Sequence, residues 1–487
     1  MQKFLCILYV FFIFYFLFFI FNMNNTLRIY PLKDLPPEVI AVAFAKCSRS
    51  PEPFDQIAQE LTETKSADFH EKWVVNFGHC SIAEHAFFNI AIENVSLVAV
   101  ECIESNRLAS YTEKSSRYQI FNRDRVYVPK IFDLYPHIKQ AYLKAADKLF
   151  TVYEMSQPYI KAEIAKRYPN TKNLPPAKYD ASIKSKWVDI CRFLLPNCVL
   201  ANLGMSANAR TWEYAITKML SHPLEEINEI GQRCKEVATQ ITPTLVKYAD
   251  AQKYYIKNEK YIFAKTKQLF TDPPSPLKTD RQLEVKLIDY DNDAENKILA
   301  GLLYKYKTIS YSQMLAEVKK MSTEEKAQIF KDLLADAETI YHKPPRELEY
   351  IYYTFDVLLD QGAYFDLKRN RIMTQTPQIL SGNYGYYTPR IFSEVGLEKE
   401  YKQAMDYAHQ VYQLIYDQFP YEASYITTKA TARRFLMKMN LREAFYFIGL
   451  RSKKTGHITY RKIAQMCWQH INRVHPNLAK YIKVDLE

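Results

Sequence analysis

Mixed helix and strand, laid out twice along one chain, is the architecture the sequence predicts. Three observations carry that prediction. Two aromatic-rich strand patterns, His85–Val95 and Glu349–Val357, each run into a helix and then into an asparagine–arginine pair. Those arginines, Arg107 and Arg371, stand 264 positions apart, with Ala109-Ser110 answered by Met373-Thr374. Between the halves lies Phe270–Asp280, which has three prolines and no hydrophobic period. A diverged tandem duplication accounts for all three.

Taken in order, residues 1–22 stand apart. Phe4 to Phe21 is an unbroken apolar run of 18 residues, barely long enough to span a bilayer, and no small-x-small cleavage pattern follows it. It is either a single-pass N-terminal anchor or a start placed upstream of the true one at Met23. Its Phe, Ile, Leu and Tyr content, which AT-rich upstream DNA encodes, favours the second reading and with it a cytoplasmic protein. Residues 23–255 make the first repeat. Pro36-Pro37-Glu38 opens a helix with proline in its first turn, and Phe54–Phe77 carries two more, stopped by Gly78. After the first strand, helices are predicted over 138–166, 183–195, 207–220 and 223–248. Residues 256–283 are the linker, and 284–487 the second repeat. There, a short strand Val285–Tyr290 precedes helix from Ala294 through Ile340, then the strand Glu349–Val357 and a helix into Lys368–Arg371. Both halves close on a pair of long helices, headed by Asn208-Ala209-Arg210 and Asn440-Leu441-Arg442.

Composition narrows the chemistry. The 487 residues are 48% hydrophobic and 14% aromatic, enough to bury a large core. Only 10 are glycine, and neither G-x-G-x-x-G nor G-x-x-x-x-G-K-[ST] occurs, so any nucleotide must be held by side chains. The formal charge of +11 suits anionic partners or a lysine-rich solvated surface. Lys and Tyr are spread evenly rather than gathered in a stripe, which argues against nucleic acid. Eight scattered cysteines form no C-x-x-C pair, as expected of free thiols in a reducing compartment. No H-E-x-x-H or Cys/His cluster supports a metal.

The densest polar constellation is Glu104–Gln119, ESNRLASYTEKSSRYQ. Arg107 and Arg117 can grip phosphate bidentately, Glu113 can accept from a base imide or a ribose hydroxyl, and Ser110 and Ser115 are adaptable donors. The alternative is a solvated capping loop with surface ion pairs. A second constellation is Gly78–His85, where Ser81 and Glu84 stand close enough to orient His79.

The order GHxSxxEH, strand, helix, R-x-x-S-x-x-E-x-S-x-R-Y resembles the flavin-dependent thymidylate synthases, whose signature reads R-H-R-x-x-S-x-N-E-x-S-x-R-Y. The first half keeps Arg107, Ser110, Glu113, Ser115, Arg117 and Tyr118, and departs at Ser105, Asn106 and Thr112. Asn208-Ala209-Arg210 is similar to a family element that reaches the substrate phosphate. The second half resembles the family more distantly. It keeps Arg369-Asn370-Arg371, Arg442 and the His457-x-x-Tyr460-Arg461 stretch, but has Pro377, Ile379 and Ser381 where the first half has Glu113, Ser115 and Arg117. Around Pro344 the Gly-His element is gone.

The resemblance implies an α+β fold of two repeats, each a mostly antiparallel sheet flanked by long helices. It implies an FAD-dependent methyltransferase that converts dUMP to dTMP, with methylenetetrahydrofolate and NADPH as co-substrates. The losses in the two halves are complementary. On this reading the first half binds the nucleotide through Glu113, Ser115, Arg117 and Arg210, with Glu113 and Arg210 catalytic. The flavin falls to Arg369, Asn370, Arg371, His457 and Arg461 of the second half, with Arg107, His79 and Ser81 of the first. A homodimer would then form a pseudo-tetramer. The other reading is a non-catalytic FAD- or nucleotide-binding paralogue whose departures ended turnover. Retention of Glu113, Ser115 and Arg117 together favours activity.

Overall fold

The computed structural model describes residues 27–76, 80–270 and 280–487. The apolar run Phe4–Phe21 and His79 lie outside the described residues, as does most of the proline-rich stretch. No described helix is long and apolar enough to cross a membrane. The chain divides into two compact units.

The first unit contains the chain up to Phe88, with Asn208–Arg210 and Thr239–Lys247. As the prolines predict, Pro37–Lys46 is a helix, followed by helices Phe54–Gln59 and Glu63–His70 and a single 3₁₀ turn, Cys80–Glu84. Val39, Ala41, Val42, Ala43, Ile57 and Ala58 form its buried face. One acid is buried among them, and it is satisfied: the Glu38 carboxylate accepts the backbone N–H of Thr244 and Leu245 at 2.8 and 3.0 Å.

Most of the repeated pattern lies in the second unit, Asn89–Ala207, Thr211–Ala238 and Tyr248–Glu487. β1 (Phe87–Ser96) buries Phe88, Ile90 and Ile92 on alternate positions and ends at Ser96, whose Oγ caps the helix Leu97–Ile103. β2 (Ala109–Glu113) follows, then the long helices Pro136–Arg167 and Pro176–Cys191, β3 (Leu200–Asn208) and helices Ala209–Leu220 and Glu225–Ile241. In the second half β4 (Glu284–Tyr290) precedes β5 (Tyr352–Asp360). Asp360 then caps the helix Gln361–Leu367, and β6 (Thr374–Pro377), helix Glu398–Tyr416, β7 (Ala432–Asn440) and helices Leu441–Arg451 and Ile458–Val474 follow. Strand order is β1-β3-β2 in one sheet and β4-β5-β7-β6 in the other, so β5, β7 and β6 answer β1, β3 and β2. The β2–β3 pairing and all those in the second sheet are antiparallel. A buried detail repeats as well. Tyr142 donates to the Tyr127 carbonyl and Tyr401 to the Tyr387 carbonyl, both at 2.7 Å.

Three expectations need correction. β3 runs through Asn208, so the helix predicted from 207 begins only at Ala209. Ala201, Leu203, Met205 and Ala207 alternate inward along that strand, a period of two that small residues disguise. β7 has the same form, and neither strand was predicted. The linker assigned to 256–283 starts as helix, Lys253–Leu269, with no buried residue.

The halves join at a short antiparallel pairing. The Asn197 N–H donates to the Thr427 carbonyl at 2.8 Å, and the Lys429 and Ala430 N–H groups donate to Leu195 and Phe193 at 3.0 and 3.1 Å. Phe419 packs edge-on against Phe132 and Tyr135 nearby.

Candidate functional site

The helices Leu97–Ile103 and Gln361–Leu367 end beside one another, and the loops that leave them interlock. Asn106 and Asn370, standing where the family signature has histidine, play matching parts. Each amide donates back to its own helix, to Ile103 O at 2.8 Å and Leu367 O at 2.9 Å. Lys368 ion-pairs with Glu104 at 2.9 Å, both side chains buried. Arg107 reaches across to Met373 O at 3.0 Å and Thr374 Oγ1 at 3.2 Å, and Arg371 returns to the Arg107 carbonyl at 3.4 Å.

On one side of these loops opens a cavity of about 500 Å³. Arg107, Asn370 and Arg371 line it together with Lys218, Lys368 and Arg433, against the flat or apolar surfaces of Tyr364, Leu224, Ile227 and Ile379. Its size lies within the small-molecule range. Lys218 Nζ donates to Asn106 Oδ1 at 2.9 Å, and burial lowers the proton affinity of that amine. The neighbouring His222 imidazole is pushed down to about 4, by burial first and by the Lys218 charge second.

On the other side lies the E-x-S-x-R segment. Glu113 at the end of β2 ion-pairs with Arg369, so the nucleotide-type carboxylate of the first half meets the arginine of the second. Burial raises the Glu113 carboxyl, as does the Glu104 charge; Arg369, Lys429 and Lys368 oppose the rise. Ser115 Oγ accepts the Arg117 N–H at 3.3 Å. The Arg117 guanidinium does not stand free. Its Nε lies 3.1 Å from Asp189, which also holds Arg192 Nε at 2.9 Å and His457 Nδ1 at 2.6 Å. Burial alone would lift Asp189, yet Arg192, His457 and Arg117 together hold it far below the usual carboxylate range.

The structure therefore brings together Glu113 with Arg369, Arg107 with Asn370 and Arg371, and Arg117 with His457. Two of the expected residues belong to the first unit: Arg210 ion-pairs there with Glu84, and Ser81 is exposed on the turn Cys80–Glu84. Arg461 is spent on the carbonyls of Ser452 and Glu487. Sequence reasoning missed Asp189, Arg192, Lys368 and Lys429. The spacing of Asp189 and Arg192, an acid and a base three apart at a helix end that is otherwise apolar, was the available signal.

The family model described as Thymidylate synthase complementing protein matches residues 32–244 and 286–477. A UPF0159 protein of Chlamydia pneumoniae is 30% identical over 94% of this chain and 92% of its own length. A flavin-dependent thymidylate synthase of Clostridium tetani is 23% identical over 44% of this chain and 82% of its own. Among solved structures, the UMP/dUMP methylase PolB of Streptomyces cacaoi, bound with 5-Br dUMP, matches 43% of this chain and 99% of its own at 12% identity and a TM-score of 0.36.

Proposed function

The chain belongs to the thymidylate synthase complementing protein family, and from that premise we propose that it is a flavin-dependent thymidylate synthase whose working site is shared by its two repeats. The observation that carries the reading is the Glu113–Arg369 ion pair, which joins a residue of one family segment to a residue of the other. Neither repeat holds both groups in its own copy of the signature, since Pro377 stands in place of the glutamate and Ser105 in place of the arginine.

In this reading dUMP binds at Glu113, Ser115 and Arg117. The buried Glu113 carboxylate accepts the N–H of the pyrimidine, while Arg369 keeps it ionised and fixed in direction. Desolvation makes that hydrogen bond worth more than it would be in water. The cavity fits a flavin nucleotide in two respects. Arg107, Arg371 and Lys218 supply the positive charge that its phosphates require, Lys368 being neutralised by Glu104, and Tyr364 and Ile227 supply flat or apolar surface. When bound, the flavin carries the electrons that reduce the transferred one-carbon group, with methylenetetrahydrofolate and NADPH as co-substrates. No nucleophile from the chain is needed, and burial pushes the Cys191 and Cys198 thiols up to about 12, out of reach of thiolate chemistry. Two copies of the chain would complete a pseudo-tetramer.

The test is rescue of a thymidine-requiring bacterium by the chain begun at Met23, together with the flavin absorbance of the purified protein. Rescue by a yellow protein is expected; a colourless, folded protein that fails to rescue overturns the proposal. Arg369→Ala should abolish rescue, because it leaves Glu113 without its ion-pair partner, whereas Arg369→Lys, which keeps charge but not the bidentate fork, should retain part of it.

A further inference from the structure

One wall of the cavity beside Arg107 and Arg371 belongs to a helix that stands outside the core. The helix Lys253–Leu269 buries none of its 17 residues. By contrast, the helices Leu97–Ile103, Glu225–Ile241 and Gln361–Leu367, which also line the cavity, all carry buried residues. Yet Tyr255 and Glu259, one turn apart on the exposed helix, line the cavity too. The contacts that hold this helix are few. At its start the Gln252 N–H donates to Ser221 Oγ at 2.9 Å. In its middle the Tyr421 hydroxyl donates to Glu259 Oε1 at 3.0 Å, and the Phe263 and Tyr421 rings lie 5.4 Å apart. Near its end Lys267 Nζ stands 5.5 Å from the Tyr416 ring. Positions 255, 259, 263 and 267 recur every four residues, so a single stripe carries all of these contacts.

Helices in proteins owe most of their stability to an apolar face packed on the core, and this one has no such face buried. A segment so held opens at a free energy well below that of global unfolding. Among the described residues, the Tyr421–Glu259 bond is the helix's only side-chain hydrogen bond to another element. Burial, and then the Glu259 charge, raises the Tyr421 phenol, so it stays protonated and able to donate. Tyr421 and Ser221 both line the cavity, so the holds at the middle and at the start of the helix lie at the cavity itself.

We propose that the helix Lys253–Leu269 is a lid on this cavity, hinged at Gln252 and latched by the Tyr421 hydroxyl on Glu259, and that its opening admits and releases the cavity's ligand. The gating stands on the contacts of the helix alone. Only the identity of the ligand rests on the assignment of flavin to that cavity. A bound ligand gains contact with Tyr255 only while the helix is closed, so binding favours the closed form.

Cys102, half-buried and lining the cavity, reports the opening without any ligand. The full chain is treated with a bulky maleimide, and labelling of each cysteine is followed by peptide mass spectrometry, with the exposed Cys47 as reference. Tyr421→Phe keeps the ring and removes the latch donor. It should speed labelling of Cys102 about tenfold, the worth of one hydrogen bond to a carboxylate, and leave Cys47 unchanged. Glu259→Met, of similar length, should do the same, and the two changes together should add little to either alone. Hydrogen exchange should quicken across 253–269 in both variants and stay as it was across Glu225–Ile241. Unchanged labelling of Cys102 in both variants overturns the proposal, as do additive effects or faster exchange throughout the chain. FAD then separates the two levels. At saturation it should slow Cys102 labelling in the unmodified chain, and it should dissociate about tenfold faster from Tyr421→Phe. If FAD does not bind while the latch variants behave as expected, the flavin assignment fails and the lid stands. If FAD binds and shields Cys102 but the latch variants match the unmodified chain, only the lid fails.

Discussion

Asp189→Ala is expected to cost about 3–5 kcal/mol of stability, the largest loss from any single substitution at the junction. Asp189 is the only described acid in ion-pair contact with Arg117, Arg192 and His457 together. The Arg192 side chain is 3% exposed, and the next acid, Asp366, is 3.7 Å from its Nη2. Truncating Asp189 leaves a buried guanidinium with half its compensation and removes the lock between the end of the helix Pro176–Cys191 and the closing helix that begins at Ile458. Urea unfolding measures the loss; a change under about 0.5 kcal/mol would show that the network is solvated and contributes little. The pH dependence has a definite sign. The folded Asp189 carboxyl is depressed, so its stabilisation is present in full above the ordinary carboxylate range. It is lost only as pH falls through the lower folded value. The unmodified protein should lose stability steeply in acid, and Asp189→Asn, weaker at neutral pH, should lack most of that slope.

The parts of this molecule that could be read from its sequence are those whose causes are local. Proline at a first turn places Pro37–Lys46, and the aromatic alternation of His85–Val95 places β1, because each element's signal lies within its own residues. β3 and β7 were not legible for the same reason inverted. Leu200–Asn208 is small and weakly patterned, and it is a strand because it fills the centre of a sheet between β1 and β2. The site divides in the same way. Arg107, Glu113 and Arg117 fall in one short signature and Arg369–Arg371 in another, so each cluster could be found. The pairing of Glu113 with Arg369 spans 256 positions, and that of Asp189 with His457 spans 268. Only the folded chain reveals that such charges meet. Lys429, one lysine in a run of threonine and alanine, carries no local signal at all.

Glu113→Gln is expected to lower kcat/KM for dUMP by about a hundredfold or more and to abolish rescue of the thymidine-requiring strain. The substitution preserves shape and one acceptor, so what it removes is charge. Glu113 is buried beside Arg369, and a neutral amide there leaves the guanidinium without its ion-pair partner just where a nucleotide must be read. Because burial and Glu104 raise the Glu113 carboxyl, acid should do to the unmodified enzyme what the substitution does at neutral pH. Activity should fall on an acid limb that begins above the ordinary glutamate range, and Glu113→Gln should flatten that limb. Arg369→Ala removes the other half of the pair, and the two changes combined should cost much less than the sum of each alone. Additive losses would mean that Glu113 and Arg369 serve different ligands at different places. The repeats would then not share a site, and the ion pair between them would be only a clasp.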